Sequence, residues 1–183
     1  MPRSRRTLIP HGIYHVTNRG NRKQPIFLST GDHILFLEIS KKIAERRRWL
    51  VHGYCLMENH YHLLVETPDA DLSAGMQAIN GEYAQCFNRG HGFVGHVFQG
   101  RFKADLVESD WHLLELTRYI ARNPVRARLC FSPSEWRWSS FRDVMESSRA
   151  PFPSSSKVLG FFGEDEDRAR EVFRSFVEDA KAE

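Results

Sequence analysis

Apolar positions along this 183-residue chain change period several times, and each change marks an element. Residues 12–18 (G-I-Y-H-V-T-N) are β-branched and aromatic between glycines, which predicts a first strand. Over 29–48 the period becomes helical: Ser/Thr/Asp capping candidates precede Ile34, Leu35, Leu37, Ile39 and Ile43, predicting a first helix. Residues 50–57 and 61–67 read as two strands joined by a tight Glu58-Asn59 connection, a hairpin signal. A second helix is predicted over 71–89, with Leu72, Met76, Ile79, Tyr83 and Phe87 on one face.

Residues 95–108 are extended again. Phe98, Phe102 and Ala104 alternate there with Gln99, Arg101 and Lys103, which turns an apolar face to a core and a cationic one outward. Asp110 caps a third helix from Trp111 to about Arg122. It is expected to end near Asn123, because Pro124 disfavours helical geometry in the residue before it. A short turn over 125–129 and the Trp136-Arg137-Trp138 segment complete the body, and the charged tail is expected to form one helix.

The first six elements, β-α-β-β-α-β, predict an α+β fold: a ferredoxin-like split β-α-β antiparallel sheet with two helices on one face. To this are added a third helix, the expected catalytic one, and a C-terminal helical tail. The domain reading is a body over 1–145, a Pro/Ser linker over 146–163 and a charged tail over 164–183, expected to be a solvated helix.

Composition narrows the class. At 41% hydrophobic and 12% aromatic the chain is too apolar to be disordered throughout. It has no apolar run near the roughly 18 residues a membrane span needs and no signal-peptide core. Three scattered cysteines make neither a disulfide framework nor a metal clip, so a cytoplasmic, nucleoid-associated location without membrane attachment is expected. The net charge of +3 is unevenly spread. Residues 164–183 carry −4, leaving +7 on residues 1–163, with six basic and no acidic side chains in the first 23. A basic body of this kind points to a polyanion such as nucleic acid.

The sharpest local chemistry is His60-Tyr61-His62. Strand side chains alternate faces, so the two imidazoles share one face, where neutral rings can bind one divalent ion; chance also places two histidines at this spacing. Tyr119 and Asn123 stand four residues apart on one face of the third helix. A phenol is almost wholly protonated at neutral pH and attacks phosphorus only when aligned and assisted. The Asn123 carboxamide oxygen suits Mg2+ or Mn2+ and would complete a His-His-Asn set. Tyr119 as a core aromatic and Asn123 as a helix cap are the competing readings.

Met57-Glu-Asn-His60-Tyr-His62-Leu-Leu-Val, Gly95-His-Val-Phe-Gln-Gly-Arg-Phe-Lys103, Arg118-Tyr-Ile-Ala-Arg-Asn-Pro-Val-Arg-Ala127 and Trp138-Ser-Ser, with the Tyr14-His-Val-Thr-Asn-Arg-Gly20 opening, follow one another along the chain. In order and spacing they resemble the single-tyrosine HUH transposases, and most the REP-associated tyrosine transposases. The resemblance covers about residues 3–142. It implies a DNA endonuclease and strand transferase in which His60 and His62 bind a divalent metal, Mg2+ or Mn2+, and Asn123 completes the site. Tyr119 would form a 5′-phosphotyrosine with single-stranded palindromic hairpin DNA. The chain departs from the family's pattern in two places: Tyr61 stands where an aliphatic is usual and is expected to point away from the metal face. Glu58 stands where proline is common, as a turn residue or a secondary contact.

Candidate DNA contacts are a basic arm (Arg3, Arg5, Arg6), the loop after the first strand (Asn18, Arg19, Arg22, Lys23), the cationic strand face (Gln99, Arg101, Lys103), and Arg122 and Arg126 beside the third helix. Phe98 and Phe102 are expected in the core. The alternative to a transposase is a domesticated protein that binds palindromic repeats without strand transfer. Both a monomer and a homodimer fit the chain.

Overall fold

The structure, a computed structural model, describes residues 9–146 and 156–179. Four strands, β1 (Gly12–Arg19), β2 (Leu50–Met57), β3 (His60–Thr67) and β4 (Lys103–Leu106), form one antiparallel sheet in the order β2-β3-β1-β4. Helix α1 (Thr30–Arg47) connects β1 to β2, and α2 (Leu72–His91) connects β3 to β4. Each of these two connections therefore skips over one intervening strand, which is the expected split β-α-β arrangement.

The strand period sorts the side chains. Tyr14 and Val16 of β1, Tyr54 and Leu56 of β2, and Tyr61, Leu63 and Val65 of β3 face α1 and α2. There they pack on Phe36, Ile39, Ile43, Met76, Ile79 and Tyr83, in a core built largely of aromatic rings. Tyr61 is fully buried in it, its hydroxyl donating to Asn80 Oδ1 at 2.8 Å, and so lies on the face away from the histidines. Helix α1 starts on a reciprocal cap: the Ser29 hydroxyl accepts from the Asp32 N–H, and the Asp32 carboxylate accepts from the Ser29 N–H at 2.8 Å.

The opposite face carries a third helix, α3 (Asp110–Arg126), whose Leu113 and Ile120 are buried against Cys55, Met57 and Leu64. This helix runs three residues past the expected end near Asn123. Pro124 is buried inside its last turn, and the carbonyls of Asn123 and Pro124 accept from the Ala127 and Leu129 N–H groups at 3.0 and 2.9 Å. These bonds and the burial of the ring outweigh the disfavour that proline imposes on the preceding residue. Asn123 is thus an interior helical residue rather than a cap.

Of the extended stretch after α2, four residues pair with β1 as β4, from Tyr14 opposite Leu106 to Thr17 opposite Lys103. The approach to it is tied to the end of β1: Asn21 N–H donates to Val97 O at 2.8 Å and Gln99 N–H to Arg19 O at 3.0 Å. The turn after β1 needs Gly20, since a Cβ there would stand 2.1 Å from the Gln24 carbonyl oxygen. Phe102 is buried and Phe98 packs on the same core, as expected.

Beyond α3 lie α4 (Ser140–Met145), α5 (Ser156–Gly160) and α6 (Glu166–Glu178). The tail forms its helix, yet it is only partly solvated. Ala169, Phe173 and Val177 of α6 are buried, the last two in a second core with Ala121, Phe141, Val158 and Leu159. The apolar spacing at 169, 173 and 177 supplies that face, and the acidic residues occupy the other. Among the described residues no helix is long and apolar enough to cross a membrane.

Candidate active site

Antiparallel pairing of β1 and β3 sets His62 opposite Thr17 and His60 opposite Arg19, all on the α3 side of the sheet. The His60 and His62 rings stand 5.1 Å apart between centroids at 78°. His60 Nδ1 is 2.8 Å from Asn59 Oδ1, and a further side-chain hydrogen bond joins His60 to Asn123 of α3. His62 Nδ1 lies 2.9 Å from Nε2 of a third imidazole, His15, stacked at 5.2 Å and 10°. Burial, and then the Arg19 charge, lower the His60 pKa to about 4 against the opposing Asn123 bond. Burial foremost, with His15, His60 and Arg19, holds His62 well below the usual histidine value. All three rings are therefore neutral near pH 7, the form that ligates a cation, with His15 lowered chiefly by burial against the pull of Asp105.

Helix α3 hangs Tyr119 over this row. Its packing residues Leu113, Leu116 and Ile120 face the sheet, so Tyr119 emerges at the edge of the contact, 39% exposed rather than in a core. Its ring meets His62 edge-on at 5.7 Å and His15 at 6.2 Å. The Arg126 guanidinium lies 5.2 Å from the Tyr119 centroid, on the same ring. Tyr119, His15, His60 and His62 line one open cleft of about 340 Å³ together with Thr17, Asn18, Arg19, Gln99, Arg101, Lys103 and Asp105.

The sequence candidates divide on this map. Arg19, Gln99, Arg101 and Lys103 rim the cleft, and Arg22 and Lys23 are exposed in the turn beyond β1. Asn18 is buried, its amide donating to Gly100 O at 3.4 Å, so it ties the loop before β4 to β1. Arg122 points to α6, donating to the Val177 and Asp179 carbonyls at 3.2 Å each, and lines a different hollow. Arg3, Arg5 and Arg6 lie outside the described residues. Glu58 is an exposed turn residue whose carbonyl accepts from the Ile26 N–H at 2.8 Å.

His15 and Asp105 escaped the sequence reading. His15 falls on the correct face of β1, two residues before Thr17, but only the cross-strand register brings it to His62. Asp105 follows Lys103 at strand spacing and stands directly opposite His15.

Two imidazoles and a carboxamide could hold a divalent ion here. His62 Nε2 is buried without a hydrogen-bond partner, an orphan that a cation would satisfy. Asn123 is bonded to His60, which brings its amide to one of the two imidazoles. Among the described residues no cluster of three or more His, Cys, Asp and Glu side chains gathers to hold a metal. The donor set therefore needs the amide, and open positions would be left for phosphate oxygens.

Residues 9–123 match the family described as Transposase IS200 like. No curated protein matches the chain. Among solved structures it is similar to a REP-associated tyrosine transposase bound to a REP hairpin, at 23% identity and TM-score 0.68, over 84% of this chain and 92% of that one. It is similar too to tRNA(His) guanylyltransferase from Saccharomyces cerevisiae, at 7% identity and TM-score 0.51, over 100% of this chain and 85% of that one. At such identities the likeness is one of fold. The family match rests on more: it spans most of the chain and takes in the four strands, the His60-Tyr61-His62 strand and helix α3 as far as Asn123, and so the chain belongs to the IS200-like transposases, enzymes that cut and rejoin DNA.

Proposed function

We propose that this transposase is a metal-dependent, single-strand-specific endonuclease and strand transferase acting at palindromic hairpin DNA through a 5′-phosphotyrosine on Tyr119. The observation that carries the reading is the half-exposed Tyr119 ring standing edge-on to His62, in a cleft rimmed by Arg19, Arg101 and Lys103. His60, His62 and Asn123 would hold the ion, Mg2+ or Mn2+. When bound, it would withdraw charge from the scissile phosphate.

The protein's own groups do the rest. Arg19, Arg101 and Lys103 take phosphate oxygens along the strand, fixing register without reading sequence. Helix α3 holds the Tyr119 oxygen at the cleft mouth. That oxygen attacks phosphorus, a new P–O bond forms to Tyr119, and the bond to the departing 3′-oxygen breaks. The phenolic proton is lost and the 3′-oxygen gains one. The tyrosine ester keeps the energy of the phosphodiester, so a second 3′-hydroxyl can reverse the step without a nucleotide cofactor.

A hairpin-bound transposase of similar fold supports the choice of substrate. A folded hairpin with unpaired flanks offers a basic cleft both a phosphate path and exposed base edges. The test is cleavage, with Mn2+, of a single-stranded palindromic oligonucleotide against the same sequence as perfect duplex. Cutting confined to the hairpin is expected. Binding without cutting would favour the domesticated DNA-binding alternative, and equal cutting of duplex would refute strand selectivity.

A further inference from the structure

We propose that His15 is a positioning residue for the cation site, holding His62 in the tautomer that turns a bare Nε2 lone pair to the cleft. The proposal rests on the reading of His60 and His62 as ligands.

One proton lies between His15 Nε2 and His62 Nδ1, 2.9 Å apart. Two assignments exist. If His15 donates, His62 carries its proton on Nε2, a buried N–H with no acceptor and no lone pair for a cation. If His62 donates through Nδ1, its Nε2 is left bare, and His15 keeps its own proton on Nδ1. The orphaned nitrogen favours the second, since a buried N–H left without an acceptor carries its full desolvation cost. Asp105 stands directly opposite His15 across the β1–β4 ladder, on the same face, and its charge acts on the His15 ring, with His112 opposing it.

His60 reaches the same end by another partner. Its Nδ1 faces Asn59 Oδ1 at 2.8 Å, and an amide oxygen only accepts, which favours the His60 proton on Nδ1 and leaves Nε2 to the Asn123 amide or, once an ion binds, to the ion. Both histidines thus present Nε2. A ligating histidine is ordinarily oriented by a partner on its other nitrogen, and here each has one. The stacking of His15 on His62, at 10°, adds a second restraint on the ring.

The test is Mn2+ titration of the DNA-free protein, reading free Mn2+ by electron paramagnetic resonance. His15→Leu removes the acceptor and is expected to weaken Mn2+ binding about 10- to 100-fold, as outer partners of metal-bound histidines do. His15→Gln, whose amide oxygen can still accept from Nδ1, should recover most of it. Exposed Asp105→Asn, which does not disturb the core, should weaken binding several-fold and guards against a folding defect in His15→Leu. Wild-type affinity in both His15→Leu and Asp105→Asn, alongside loss in His62→Ala, would overturn the role of His15 alone. Absence of Mn2+ binding by the wild type would overturn the ligand reading and this proposal with it.

Discussion

The guanidinium of Arg126 lies over the ring of Tyr119, its central carbon 5.2 Å from the ring centroid. The two residues are seven apart on α3, two turns, so the helix itself sets the pairing. Among the described residues Arg126 forms no ion pair, which leaves its N–H donors available to a phosphate. A cation–π contact at an exposed site amounts to about 0.5–1 kcal/mol, so Arg126→Ala should slow Tyr119–DNA adduct formation by about two- to fivefold through the ring contact alone. Single-turnover kinetics measure this, and an unchanged rate would remove Arg126 from the site.

His60→Ala and His62→Ala should each abolish Mn2+-dependent cleavage, as should chelation of the wild type. Hairpin retention in gel shifts with chelator should persist, because the basic rim of Arg19, Arg101 and Lys103 is untouched. Retention should instead fall steeply with salt, since the binding is to phosphates. Metal-independent cutting by either variant would contradict the ligand assignment.

Acid should weaken the fold in part through Asp32. Burial alone would raise its carboxyl, but bonds from His91, the Leu28 N–H and the Ser29 hydroxyl and N–H outweigh that and hold it below the ordinary value. Because the folded pKa lies below the unfolded one, this stabilisation is present above about pH 4 and is lost as pH falls through the folded value. Asp32→Asn should cost about 1 kcal/mol near neutrality by loss of the cap. In thermal melts the gap from wild type should shrink as pH falls to about 3; a gap independent of pH would contradict the linkage.

Helix α6 is expected to brace α3 rather than to cover the cleft, since its buried face meets Ala121 and Phe141 and its end is held by Arg122. Phe173→Ala should lower stability by about 3 kcal/mol in urea unfolding. Ending the chain after residue 155 should destabilise it without speeding cleavage. A faster rate would favour restraint by the acidic tail.

Local pattern carried much of this molecule. Alternation alone separated Tyr61 from His60 and His62, and the six-element order foretold the sheet. What it could not carry depends on contacts between distant segments. His15 is an ordinary strand residue until the register of β1 on β3 brings it to His62. Arg122 is a candidate DNA contact by pattern, as a basic residue flanking the third helix. Its destination, the end of α6, lies 55 residues away for Val177. Asn18, a loop candidate, does line the cleft, but its amide also ties to Gly100, 82 residues away, which no local pattern announces. At Pro124 a local preference gave way to burial and to bonds from the following turn.

Attack of Tyr119 on DNA is read by mass spectrometry of the denatured, nuclease-trimmed product formed with Mn2+ and a single-stranded hairpin carrying a labelled strand. A nucleotide joined through its 5′-phosphate to the peptide containing Tyr119 is expected, with no adduct from Tyr119→Phe. An adduct on another residue, or cleavage by Tyr119→Phe at the wild-type rate, would contradict it.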